Sequence, residues 1–309
     1  MADSEGRKAL GYALVIFAAA CWATGGVTAK WLFTSLSIDV DPLALSSARA
    51  LVAFVVLIVP LALFRRDLLR VDRRYIGFLA VFGVVGMAML HLAYYQAISH
   101  TNVATAILLE YLAPVFVLVV SVSFLGERFT RALPVGIVFS ILGASLVVGV
   151  IGGGGLRVTP LGIAWGLLAA VFFAAYIVMG KYAAGRIAPW ALLTWGLGFA
   201  ALFWLVATGG MESARPLLSD PVGLVAVLYI AIVTTVIPFG AFLAALHYID
   251  ATKASVTSTI EPVIAAVLSF LVLGETLDGL QILGGVLVIA AVVVVQRPSP
   301  GGEAVPPPP

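Results

Sequence analysis

PVFVLVVSVSFLGE at residues 114–127 and PVIAAVLSFLVLGE at residues 262–275 repeat one pattern: a proline, eleven residues, then Gly-Glu. Each run is too long for a typical strand and starts with a residue that interrupts helices. The prolines are 148 residues apart (262 − 114). Upstream the likeness continues at a spacing of 151, which pairs Lys30 with Lys181, Ile98 with Ile249 and Thr101 with Thr252. The three-residue difference places one small gap near positions 110–114. Polar residues and prolines that match in one order point to a duplication rather than to the general likeness of apolar segments.

The rest of the chain has the same character. Of 309 residues, 62% are hydrophobic and 10% charged, with a mean hydropathy of +1.14. A soluble domain has about a quarter of its residues charged, so hydrocarbon is the expected solvent. A net charge of +2 gives no case for nucleic acid. The single cysteine, Cys21, rules out a disulfide framework within the chain and reads as a small packing residue. Arg7 and Lys8 before an apolar stretch imitate a signal peptide. That stretch runs past Trp31, longer than the roughly 7–15 residues of a cleaved signal core, so it reads as a retained helix.

About 20 apolar residues cross a bilayer as a helix. The pattern predicts spans at 10–33, 42–64, 75–98, 102–124, 132–151, 160–182, 189–208, 221–247, 253–273 and 278–296. Pro42, Pro160, Pro189 and Pro221 stand at helix starts, where a missing N–H costs nothing. Four glycines at 152–155 end the fifth span. With the N-terminus in the cytoplasm, nearly all loop lysines and arginines fall on that side, among them Arg65, Arg66, Arg73, Arg128, Arg186, Lys253 and Arg297. The other side receives Arg157 and Arg215, with Lys30 at a helix end, and Arg49 lies inside the second span. Both termini are therefore expected inside, in a plasma (inner) membrane.

Five spans per copy is an odd number, so the second copy enters the membrane from the opposite side. Such inverted repeats are a transporter architecture, with the substrate site near the midplane between them. The expected fold is all-α and integral to the membrane: ten transmembrane helices as two inverted five-helix repeats. An N-terminal tail covers 1–9, the first repeat 10–151, a linker 152–159, the second repeat 160–296 and a disordered tail 297–309.

The doubled Pro-to-Gly-Glu pattern, the ten spans and the two internal termini resemble the drug/metabolite transporter superfamily of the EamA type, over about residues 10–296. Within it the chain is most similar to YddG-type amino-acid exporters. The resemblance implies a central cavity bounded by the first, third, fourth, sixth, eighth and ninth helices, with the fifth and tenth packed peripherally. It also implies export of amino acids or other small organic compounds.

Polar groups at membrane depth are costly and mark candidate sites. Glu110 lies about eight residues into its helix, roughly 12 Å along it. Pro114, four residues on, releases the Glu110 carbonyl where the carboxylate projects. The resulting notch suits an amino group or a proton, against a structural glutamate bonded to a neighbouring helix. Glu261 precedes Pro262 in the matching helix, and either lines the cavity or bonds at a kink; Thr257, Ser258 and Thr259 are placed to satisfy the carbonyl that Pro262 frees. His91 shares a helix face with Tyr95 and reads either as a substrate or proton group or as a hydrogen-bonding packing residue. Trp22, Trp165 and Tyr176 offer flat walls for a side chain or an amine, against packing for Trp22 and interfacial anchoring for Trp165. Lys30 and Lys181 end equivalent helices, and either snorkel to headgroups or form paired gates. Pro238 frees the Thr234 carbonyl and is a hinge or a patched kink. Glu127 and Glu275 are expected as polar stops after C-capping glycines.

The expected substrate-binding set is thus Trp22, His91, Tyr95, Glu110, Trp165, Tyr176, Thr259 and Glu261, with Lys30, Pro114, Lys181, Pro238 and Pro262 as gates or hinges. The expected function is secondary transport of amino acids or related metabolites by alternating access, in the export direction. No phosphate-binding loop, cofactor motif or metal motif is present, so no cofactor is expected and the chain is not expected to be an enzyme. Partners are a small-molecule substrate and the bilayer, and a monomer is compatible with this. The alternatives are an intramembrane enzyme or a channel with a polar midplane cavity.

Overall fold

The structure is a computed structural model that describes residues 2–25, 28–29, 31–32, 41–149, 159–210, 212–273 and 278–296. Among these residues every regular element is helical. The principal helices are α1 (Ala2–Trp22), α2 (Pro42–Phe64), α3 (Arg73–His100), α4 (Val103–Glu110), α5 (Ala113–Phe124), α6 (Ala132–Val147), α7 (Pro160–Ala183), α8 (Pro189–Ala207), α9 (Pro221–Ala245), α10 (Ala251–Ser258), α11 (Glu261–Leu273) and α12 (Gly279–Gln296). Among the described residues, α2, α3, α4 with α5, α7, α8, α9 and α12 make seven helical segments long and apolar enough to cross a membrane. The molecule is a multi-pass membrane protein.

Local chemistry sets the helix starts. Pro42, Pro160 and Pro221 each open a helix behind a side chain that caps it: Asp41 accepts from the Ala44 N–H at 2.5 Å, Thr159 from Gly162 at 3.0 Å and Asp220 from Gly223 at 2.7 Å. Within the expected span at 10–33, α1 runs from Ala2 to Trp22, the chain turns at 23–24, and the described residues at 25, 28–29 and 31–32 are helical again. At the turn the Thr24 hydroxyl donates back to the Cys21 carbonyl at 2.9 Å, a local bond that competes with helix continuation. The fifth helix stops at Val147, and Gly149 then takes φ +75°. Lys30, the glycines at 152–155, Gly274, Glu275 and the tail from 297 lie outside the described residues.

Two of the prolines stand just after helix breaks. Upstream of Pro114, α4 ends at Glu110 and α5 starts at Ala113. Upstream of Pro262, α10 ends at Ser258 and α11 starts at Glu261. Thr257, Ser258 and Thr259 do not satisfy the Ser258 carbonyl. Their hydroxyls donate to the carbonyls of Lys253, Ser255 and Val256 at 2.7–2.8 Å, so they patch the preceding turn. Two helices also widen into π-helical turns, at Phe82–Met89 in α3 and Ile232–Val236 in α9.

Three apolar clusters pack the interior, the smallest of them Leu133, Ile137, Val256, Ala291 and Val295 between α6, α10 and α12. Of the other two, one joins α7, α8 and the second half of α9 to α1, α2 and α3. The other holds Leu45, Ala48, Tyr95, Ile98 and Ile230. Beside the smallest cluster, α6 and α12 pack backbone to backbone. A Cβ on Gly143 would sit 2.7 Å from the Gly284 carbonyl oxygen, and one on Gly284 2.6 Å from that of Gly143, so both positions require glycine for this approach.

Candidate functional site

The two helix breaks, the end of α1 and the π-helical turn of α9 meet at one cavity. It measures about 60 Å³ as the space open to the centre of a water molecule. One water needs about 10–15 Å³ on that measure, so the cavity has room for several waters or a small polar group. Its walls come from Trp22 and Gly25 after α1, Arg49 on α2, His91, Tyr94 and Tyr95 on α3, Glu110 and Tyr111 at the first break, Phe173 on α7, Thr234 and Phe239 on α9, and Glu261 at the second break.

The carboxylates come from opposite halves of the chain. Glu110 is the last residue of α4, and Glu261 is the first of α11. They interact electrostatically with each other, and Glu110 also interacts with Arg49. Glu261 is 9% exposed. Helix ends leave backbone groups unpaired, so each carboxylate sits where the local backbone is itself polar.

Arg49 is 5% exposed. Its Nε donates to the Thr235 hydroxyl at 2.6 Å, Nη1 to the Tyr95 hydroxyl at 2.6 Å and Nη2 to the Thr234 carbonyl at 3.1 Å. The last bond falls on the carbonyl four residues before Pro238, the one expected to be released. Thr234 and Thr235 themselves donate to the Ile230 carbonyl at 3.0 and 2.7 Å. The guanidinium carbon lies 5.7 Å from the centre of the Tyr95 ring and 5.6 Å from that of Phe239, within cation–π range.

The floor of the cavity is aromatic. Trp22 meets Phe239 edge-on at 5.1 Å and Phe173 at 5.7 Å. Tyr176 packs beneath them, 5.0 Å from Phe239, and donates its hydroxyl to the Phe239 carbonyl at 2.9 Å. His91 packs edge-on against Phe239 at 5.1 Å and is 6% exposed. Among the described residues, the Nε2 of His91 and the Nε1 of Trp22 have no hydrogen-bond partner. A buried polar atom left without a partner is costly, and these two border a cavity.

Beyond the aromatic floor, charged groups close the end of α9. Lys181 does not snorkel to headgroups: its Nζ donates to the carbonyls of Leu246 and Ile249 at 2.9 and 2.8 Å, which caps the C-terminal end of α9. Glu127 is more than a polar stop. After Gly126, at φ +69°, its carboxylate accepts from the Ala251 N–H at 2.5 Å and the Thr252 hydroxyl at 2.7 Å. It thereby caps the N-terminus of α10, on the other half of the chain. Burial pushes the Glu127 carboxyl above its ordinary range against the pull of these bonds.

Of the expected binding residues, Trp22, His91, Tyr95, Glu110 and Glu261 line the cavity. Three do not. Trp165 packs against the Tyr95 cluster, Tyr176 lies under the floor, and Thr259 is fully buried with its hydroxyl spent on the Val256 carbonyl. Helix rotation decides these cases, and composition does not report it. Arg49 lies outside the expected binding set and yet lines the cavity. Its sequence does carry a signal: a lone ionisable group seven residues after Pro42, with no acid elsewhere in its helix. Tyr111, Phe173 and Phe239 also lie outside that set and carry no signal beyond being aromatic. The observed walls are the six expected helices with α2 added, and neither α6 nor α12 contributes.

Known proteins resemble this chain in sequence and fold. The model of the EamA-like transporter family matches the chain twice, over residues 9–149 and 160–297. An uncharacterized transporter of Archaeoglobus fulgidus is 31% identical over 75% of this chain and 79% of its own length. The pseudopaline exporter of Pseudomonas aeruginosa is 29% identical over 77% of this chain and 81% of its own length. A probable terminal-alkyne amino-acid exporter of Streptantibioticus cattleyicolor is 28% identical over 72% and 74%. One crystal structure shares the fold with a TM-score of 0.73 at 21% identity, covering 93% of this chain and 96% of that one. The chain belongs to the EamA-like transporter family and is a membrane transporter.

Proposed function

We propose that the protein is a secondary carrier that moves amino acids or related small amines by alternating access, with the substrate's cationic group held between Glu110 and Glu261. In this reading the chain crosses the membrane ten times as two inverted repeats, with both termini cytoplasmic. The observation that carries it is the pair of carboxylates, one from each half of the chain, at helix breaks facing one cavity. A site split between two repeats is exposed to one side or the other as they rock against each other. The aromatic floor and the Lys181 and Glu127 caps then lie on the cytoplasmic side of the site. Pro114, Pro238 and Pro262 serve as hinges, because each stands where helical hydrogen bonding is already interrupted. The relatives named as exporters favour outward flux.

Purified protein in liposomes, offered a panel of labelled amino acids and amines, is expected to give saturable uptake and counterflow. Glu110→Gln and Glu261→Gln should each lower it about 10–100-fold, the worth of one charge-assisted hydrogen bond. Flux no faster than in protein-free vesicles across the panel would rule the carrier out. Flux without saturation or counterflow would indicate a channel.

A further inference from the structure

We propose that Arg49 selects the substrate by its carboxylate, so that the compound carried is a zwitterion held between the Arg49 guanidinium and the Glu110–Glu261 pair. The inference rests on the carrier reading and adds the second end of the substrate to it.

Three features support it. First, Arg49 is buried and forms no ion pair among the described residues. Its three acceptors are two hydroxyls and a carbonyl, all neutral. A guanidinium has five N–H groups, so two are not used in these bonds. Second, patching the released Thr234 carbonyl does not require a full charge. A neutral amide would donate to it without the several-kcal/mol penalty of taking a cation out of water. A cation kept at this depth calls for an anion, and the planar fork of arginine fits a carboxylate with two parallel bonds. Third, the same cavity holds His91, 6% exposed, with its Nε2 unpartnered among the described residues.

The protein carboxylates do not fill the role of that anion. Glu110 interacts with Arg49 electrostatically but makes no ion pair with it. An α-amino acid fits this division of charge. Its ammonium faces the helix breaks, its carboxylate faces α2, and its side chain lies over Trp22, Phe173 and Phe239. A simple amine would bring no carboxylate for the Arg49 fork to hold, and a simple acid would bring no ammonium to the two glutamates.

The test compares compounds that differ by one group. Phenylalanine, phenethylamine and 3-phenylpropionate are offered as competitors of labelled amino-acid counterflow in liposomes. Wild type should be inhibited by phenylalanine at least tenfold more strongly than by either of the others. Arg49→Lys keeps the charge but loses the fork; it should raise KM for the amino acid about tenfold and leave competition by the amine unchanged. Arg49→Gln should remove the preference for the zwitterion over the amine. If wild type does not distinguish phenylalanine from phenethylamine, the proposal is overturned while the carrier reading stands. If Arg49→Lys weakens amino acid and amine equally, Arg49 is structural only, and the proposal is again overturned. The wild-type comparison needs no variant to fold. If nothing in the panel moves at all, the carrier reading falls and this inference with it.

Discussion

The helix break in the first repeat and the break in the second deliver a carboxylate to the same cavity by different means. In the first, the charge is the last residue of the upstream half: α4 is apolar to its end and closes on Glu110, four residues before Pro114. In the second, the charge is the first residue of the downstream half: Glu261 opens α11 immediately before Pro262. The upstream half there, α10, ends on Thr257 and Ser258 and is followed by Thr259, and all three hydroxyls donate to carbonyls of α10. Aligned on the prolines, Glu110 corresponds to Ser258, a residue that is 1% exposed and does not face the cavity. The duplication therefore conveys the position of the break and not the position of the charge. The site is asymmetric although its scaffold is repeated, which suits a ligand whose two ends differ.

Moving the second charge to the matching position should break that comparison most severely. Ser258→Glu combined with Glu261→Gln would bury a carboxylate against the Ser255 carbonyl with no cation beside it. The expected cost is roughly 3–5 kcal/mol, read as loss of monodisperse protein in detergent or a large fall in Tm. A double variant that folds and transports normally would show that the break accepts the charge at either position.

A smaller effect is expected where the repeats meet away from the cavity. Gly143→Ala places a methyl group 2.7 Å from the Gly284 carbonyl oxygen, at a cost of about 1–3 kcal/mol in stability. KM should not change, because neither α6 nor α12 lines the site. Gly279→Ala, where a Cβ meets nothing within 4 Å, is the control and should be neutral in the same melt.

The smallest effect concerns Glu127, which joins the first repeat to the start of α10. Glu127→Ala should cost about 1 kcal/mol, the usual worth of a helix cap. Burial holds its carboxyl above the ordinary range in the folded protein, so the folded state binds this proton more tightly than the unfolded chain does. The resulting stability is present below the ordinary carboxylate pKa and is lost as pH rises through the raised value. Glu127→Gln should flatten that slope in Tm measured against pH. A slope unchanged by the substitution would assign it to another group.

Much of this arrangement is legible in the amino-acid sequence. Pro114 and Pro262 mark both breaks, because a proline inside a helical run removes the bond to the carbonyl four residues back. Glu110, Glu261 and His91 stand out because ionisable groups are expensive at membrane depth. Trp165 and Thr259 lie away from the cavity, against expectation, for a common reason: being apolar or hydroxylic does not state which way a helix face points. Successive residues on a helix are about 100° apart in azimuth, and a π-helical turn adds a residue that rotates everything after it. The turns at Phe82–Met89 and Ile232–Val236 lie just ahead of His91, Tyr94, Tyr95 and Phe239, so spacing counted along the chain does not give their directions.

The sequence by itself determined that the chain is helical, membrane-bound, duplicated and broken at two prolines, because hydropathy and proline chemistry act locally. Only the tertiary structure decided which polar groups share one cavity. Arg49, from a helix not expected to line it, reaches Tyr95, Thr234 and Thr235, up to 186 positions away in the chain. The bonds that orient its guanidinium are made by groups brought together through packing, and no local pattern encodes that meeting.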